Sequence, residues 1–170
     1  WFVIAFFIIF ALLSFFLPVP QQISDEILKF IQRILEQTKG LSQIQMIKFI
    51  FFNNLISSFI GIVLGIFFGI FPILSAIANG YILGFVGSLS VKEEGFLSLL
   101  RILPHGIFEL PAVFISFGLG VKLGTFIFSS DKWKTFKLYF ENSMRVFILI
   151  VIPLLIIAAI IEGILIFVLG

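Results

Sequence analysis

The stretch Leu103-Pro104-His105-Gly106-Ile107-Phe108-Glu109-Leu110-Pro111-Ala112 decides how this chain is read. It holds the only histidine of the sequence, and its glutamate leads straight into an apolar run that ends at Leu123. His105 and Glu109 stand four residues apart, so on a helix they share one face, one turn from each other. An imidazole and a carboxylate are costly to carry into hydrocarbon, and their presence at the head of an apolar helix marks a site. The stretch therefore reads as the entry of a membrane helix with a polar site in its first turns.

The rest of the chain supports a membrane setting. Hydrophobic residues make up 61% and charged residues 12%, where a soluble domain sits nearer half and a quarter. Twenty-five Phe residues fit lipid-facing helices, and a net charge of +2 is too small to argue for a nucleic-acid partner. With no cysteine there is no disulfide and no thiolate metal site.

Five apolar segments are long enough to serve as spans of about twenty residues or nearly so. The first, 1–17, is slightly short and would be completed by a residue or two upstream of Trp1. A signal peptide is its rival reading, but the segment shows no basic region and no small-residue cleavage site. The others are expected at 48–70, 73–88, 105–128 and 145–169. Phe71-Pro72 is the expected break between the second and third. Val91 to Arg101 reads as a wet segment that stops at Pro104, and Pro153 should kink the last span. Two amphipathic helices complete the set. In 24–39, Ile27, Leu28, Ile31, Ile34 and Leu35 form a stripe opposite Lys29, Gln32, Arg33 and Glu36. In 131–143, Trp133, Phe136 and Phe140 recur at helical spacing between lysines. Both are expected at the membrane surface. The fold class is all-α: a single polytopic membrane helix bundle over 1–170, with about five transmembrane helices and two interfacial ones.

Glycines punctuate the spans. Gly61, Gly65 and Gly69 follow one another at intervals of four and share a face, which lets a second helix approach closely. Gly80, Gly84, Gly120 and Gly124 are further expected packing points. Contact within one chain is the commoner outcome of such a ladder, and a homodimer seam is the sharper alternative. Asn79-Gly80 reads either as a hydrogen-bonded packing point or as an unwound turn.

Alternating spans have a geometric consequence. Asn53, Asn54, His105 and Glu109 enter from the side that holds the first and third connections, and Glu162, past the middle of the last span, returns towards it. Asn79 falls near mid-depth. One polar cluster of His105, Glu109, Asn53, Asn54, Asn79 and Glu162 is the expectation, because intramembrane polar groups are costly unless paired. The same side carries Lys29, Arg33, Lys39, Lys48, Lys92 and Arg101, against Lys132, Lys134, Lys137 and Arg145 on the other. The positive-inside rule points the first side to the cytoplasm.

Asn53-Asn54, the glycine ladder, Asn79-Gly80 with Gly84, and the Pro104-to-Ala112 segment followed by Gly118, Gly120 and Gly124 resemble the stage II sporulation protein M family, over roughly 53–124. The resemblance implies a multi-pass membrane protein of a bacterial and archaeal family. It further implies, for the endospore-forming namesake, work beside peptidoglycan-cutting partners during engulfment. Three functions compete. A scaffold or interaction subunit of a membrane complex leads. A channel or transporter for a small solute or ion, using the polar cluster, is second. A metal-dependent intramembrane enzyme is third, since one histidine with two carboxylates could hold a metal, but HxxxE is a weak spacing and neither HExxH nor GxSxG is present. The expected partners are the lipid bilayer and either a second copy or other membrane proteins. No nucleic acid, cofactor, metal or catalytic residue is expected, and the expected location is the cell membrane.

Overall fold

A computed structural model describes residues 1–169, with side chains described at all of these except 100–105 and 169. The described residues form seven α-helices and no strand. Helix α1 (Phe2–Phe16) is almost wholly apolar. At a rise of 1.5 Å per residue it is about 22 Å long, shorter than the ~30 Å hydrocarbon layer. The chain then bends by 108° into α2 (Gln21–Thr38). Pro18 and Pro20 lie at that bend. Helix α2 is amphipathic: Ile27 is buried, while Lys29 Nζ donates to Glu26 Oε1 at 2.8 Å on the wet face. That bond holds the Glu26 carboxyl below its usual value.

Helix α3 (Gln43–Val63) starts five residues before the expected Lys48. The reason is a capping box: Ser42 Oγ accepts from the Gln45 N–H, and Gln45 Oε1 accepts from the Ser42 N–H at 2.8 Å. A 3₁₀ turn, Leu64–Ile66, tightens its end. The reversal comes at 67–69, where Phe68 and Gly69 take φ of 56° and 69°, and not at Phe71-Pro72. Pro72 instead occupies the third position of α4 (Ile70–Glu94), where its missing N–H would have found no intrahelical acceptor. Helix α5 (Leu99–Gly124) corrects a second boundary. It includes Leu103 and runs through Pro104, so the expected stop there is overridden and the helix begins six residues ahead of the expected start at 105.

After a 3₁₀ turn, Thr125–Phe128, Asp131 Oδ1 caps α6 (Lys132–Val146) by accepting from the Lys134 N–H at 3.1 Å. A π turn, Phe147–Val151, carries α6 into α7 (Ile152–Leu169) without a loop. Pro153 lacks an N–H and its ring crowds the carbonyl four residues back, and a widened turn just before it relieves that crowding. The expected surface helix and last span are thus one helical run.

Four helical stretches are long and apolar enough to cross a membrane, or five if α1 and α2 together count as one bent span. They make a helical membrane bundle with two cores. Helix α1 packs along α4, and Val3, Phe7, Ala76 and Phe117 close the space between them and α5. Helices α3, α5 and α7 pack pairwise around Ile62, Ala112, Leu123, Val151 and Leu155. Helix α5 belongs to both.

Glycines set the closest approaches. A Cβ on Gly65 would fall on the Gly120 carbonyl, one on Gly120 would meet the Gly61 carbonyl, and one on Gly124 would meet Gly69 N and the Gly65 carbonyl. A Cβ on Gly69 would come within 3.0 Å of the Val121 backbone, and Gly61 lies under the Phe117 ring. The ladder of α3 and its turn is therefore an intramolecular seam with α5. Gly80 and Gly84 of α4 press on the carbonyls of Phe7 and Ala11 of α1.

Three membrane-crossing helices, α3, α4 and α5, separate α2 from α6, so the two are expected on opposite membrane faces. Single cysteines at Lys29 and Lys134 should each react with a membrane-impermeant maleimide from one face only, and from different faces. Labelling of both from the same face would remove one crossing from the fold.

Candidate functional site

Three helices bring polar groups together inside the bundle. Helix α3 supplies Asn54, α5 supplies Glu109, and α7 supplies Glu162. All three are partly buried. The Asn54 amide donates to the Glu109 carboxyl. Glu162 lies near enough for the charge of Glu109 to act on it, and its Oε2 is buried with no hydrogen-bond partner among the described residues. Nearby, Gly163 admits Ile47 of α3, which draws α7 against α3 at this level.

The other expected members are elsewhere. Asn53 adjoins Asn54 in sequence, but one residue turns about 100° around a helix, and Asn53 is exposed. Asn79 is exposed too, and its Nδ2 donates to the Ser75 carbonyl at 2.8 Å within α4. It stands in an uninterrupted helix, so Asn79-Gly80 is not an unwound turn. The His105 side chain lies outside the described residues. The five positions whose side chains are described thus divide into an inward group, Asn54, Glu109 and Glu162, and an outward pair, Asn53 and Asn79.

Asn53 borders a groove of about 360 Å³ between α3 and α4, lined also by Ser57 and Ser75 among apolar neighbours that include Ile60 and Gly61. Although α3 and α4 follow one another through a three-residue turn, they barely touch beyond it, because α5 packs on both from behind. Phe117 of α5 packs on Gly61. Ser57 and Ser75 were not singled out in the sequence, although their spacing of four from Asn53 and Asn79 was the available signal. Ser58 and Ser116 are buried and their hydroxyls have no partner among the described residues. No chemical role follows from their placement.

Chemically, the inward group combines an amide donor with two carboxyls. It can tie three helices together or offer hard oxygen atoms to a small cation. The outward groove can offer hydrogen bonds to something lying in the membrane plane.

A bundle of apolar helices sealed by glycines, with polar groups at the depth of its spans, defines an integral membrane protein. More narrowly, the chain belongs to the Stage II sporulation protein M family, whose model matches residues 3–165. The match takes in the flanks on both sides of the 53–124 signature. An uncharacterized protein of Methanocaldococcus jannaschii, MJ0793, is 40% identical over 73 residues, which is 42% of this chain and 41% of that relative. The aligned stretch thus spans less than half of the relative's length. No solved structure matches the chain.

Proposed function

We propose that this protein is a multi-pass scaffold or interaction subunit of a complex in the cell membrane. The observation that carries the reading is the division of its polar groups. The inward carboxyl Glu109 is engaged by Asn54 of the neighbouring helix, while Asn53, Ser57 and Asn79 face out from spanning helices. Amides turned towards hydrocarbon are stabilised by a partner that supplies hydrogen bonds within the membrane. A subunit built to assemble needs that kind of outward polarity, and a self-contained bundle does not.

The runner-up, transport of a small ion, draws on the two neighbouring carboxyls Glu109 and Glu162. It loses the support of a broken helix, because α4 is continuous through Asn79-Gly80. Purified protein in liposomes loaded with a pH-sensitive dye, and in parallel a potassium-sensitive dye, separates the two. The scaffold reading expects flux no greater than in empty liposomes, together with migration as a species larger than one chain after mild extraction from native membranes. Flux that Glu109→Gln abolishes would overturn it in favour of transport.

A further inference from the structure

We propose that the outer face of α6 binds an anionic phospholipid, its phosphate drawn down to Arg145 and its acyl chains lying on the apolar residues beyond. The inference stands apart from the scaffold reading. Depth is its first ground. From Lys48 to the turn at Phe67 the chain climbs about 29 Å as helix, which matches the ~30 Å hydrocarbon layer, so the turn marks one boundary of that layer. Phe147 packs on Phe59 of α3, with ring centroids 5.6 Å apart. Phe59 lies eight residues before Phe67, roughly 12 Å inside the boundary. Arg145 precedes Phe147 by two residues and so stands roughly 9 Å inside it. Helix α6 therefore does not lie flat on the surface. Its last turns descend into the leaflet along α5, in keeping with the contacts of Phe136 with Phe126 and of Tyr139 with Lys122.

Charge is the second ground. Lys134, Lys137, Glu141 and Arg145 recur at intervals of three and four and form one exposed column on α6, turned away from the bundle. Lys137 Nζ lies 4.0 Å from Glu141 Oε1, which leaves Lys134 and Arg145 without an ion pair among the described residues. A guanidinium at hydrocarbon depth is costly unless an anion meets it. Helical side chains lean towards the helix N-terminus, here towards the headgroups, so Arg145 can snorkel that way. Lys134, eleven residues earlier, stands roughly 7 Å outside the boundary, among the headgroups. Trp133 beside it is 75% exposed, as a belt residue is. Beyond Arg145 the same side is bare apolar surface: Ile148 is 59% and Leu149 73% exposed. The column thus passes from cations to apolar side chains in the order in which a phospholipid passes from phosphate to acyl chain. An acidic partner helix would match Arg145 alone, whereas a lipid matches the whole gradient. The planar guanidinium takes phosphate oxygens in pairs, and three cations against one carboxylate select an anionic lipid.

Two measurements test this. In the first, the full chain in detergent is titrated with dioleoyl phosphatidylglycerol or dioleoyl phosphatidylcholine, and retained lipid is counted by native mass spectrometry. The unaltered protein is expected to retain more phosphatidylglycerol than phosphatidylcholine. Arg145→Gln should cut phosphatidylglycerol retention several-fold. Arg145→Lys should fall between, because the charge stays and the bidentate fork is lost. Lys39→Gln, an equal loss of charge at an exposed residue beyond α2, should change nothing. Equal retention of the two lipids by the unaltered protein overturns the proposal, as does equal retention of phosphatidylglycerol with and without Arg145. The second measurement leaves Arg145 in place. The natural absence of cysteine allows a nitroxide to be placed on Leu149→Cys alone, in vesicles of phosphatidylcholine and phosphatidylglycerol. Access to molecular oxygen and not to a nickel chelate is expected of a residue against acyl chains. Access to the chelate would set this face in water, and access to neither reagent would set a protein surface on it. Both outcomes overturn the proposal, and the second leaves the scaffold reading standing.

Discussion

Gly65→Leu is expected to abolish cooperative folding of the bundle. The atom a new Cβ meets is the Gly120 carbonyl, which is backbone and cannot rotate away. Helices α3 and α5 would have to separate, and the damage would not stop at one contact. Gly120 sits against the Gly61 carbonyl and Pro72, and Gly124 against the Gly65 carbonyl and Gly69, so one displacement opens the whole seam. Overpacking a core with side-chain neighbours costs about 1–3 kcal/mol, and a backbone obstacle belongs at or above the top of that range. Against a total stability of roughly 5–15 kcal/mol, this is a large fraction. Gly118 provides the control on the same helix, since a Cβ there meets nothing within 4 Å. Gly118→Ala should be neutral or gain about 0.5–1 kcal/mol from the better helix former. Thermal melts in detergent decide the matter, and equal melting temperatures for Gly65→Leu and Gly118→Ala would dismantle the account of the seam.

Glu109→Leu is the second large expected effect. It strands the Asn54 amide in the interior of the α3–α5–α7 group, and a buried donor without an acceptor costs about 1–3 kcal/mol. Glu109→Gln should preserve most of the stability, because the Gln side-chain oxygen still accepts from Asn54. The double variant Glu109→Leu with Asn54→Leu should recover much of what Glu109→Leu loses, as apolar replacement of both partners removes the unpaired group. Full additivity of the two single losses would show that the residues do not act on each other. A functional assay adds a separate reading: loss of flux in a stably folded Glu109→Gln would move the pair from architecture to transport.

Much of the fold was legible because apolar length and glycine spacing report directly on packing. Gly61, Gly65, Gly69, Gly80, Gly84, Gly120 and Gly124 lie at close approaches, whereas Gly118 meets nothing within 4 Å, and each apolar segment falls within a helix or a longer helical run. The boundaries were less legible, each for a local reason. Ser42 and Gln45 lie in a polar stretch ahead of the apolar run, so hydropathy placed the start of α3 at Lys48 and overlooked the capping box. The Phe71-Pro72 pair looked like a break because proline ends helices, yet near the N-terminal end of a helix proline fits, and the turn fell to Gly69, whose positive φ the sequence does not announce. The π turn at Phe147–Val151 has no hydropathy signature at all. For the candidate site, counting crossings placed Asn54, Glu109 and Glu162 at one end, but depth is only half of a position in a bundle. The azimuth around each helix separates Asn53 from Asn54, and it depends on which neighbours pack against α3, which the sequence alone did not supply.

The pairing of α1 with α4 imposes an order on how this protein is made. Ser14 Oγ donates to the Tyr81 carbonyl at 2.8 Å, across 67 residues of sequence, and Gly80 and Gly84 receive the carbonyls of Phe7 and Ala11. Helix α1 thus leaves the ribosome well before its principal partner, α4. At about 5–20 residues per second, it spends several seconds in or beside the insertion machinery before that partner exists. During that interval a helix of about 22 Å must be held at the membrane with its Ser14 hydroxyl unclaimed by α4. Only when Gly80 and Gly84 arrive does α1 gain a surface flat enough to accept it. Biogenesis should therefore be more sensitive than final stability to slow translation through 17–70, and to any delay before the fourth helix emerges.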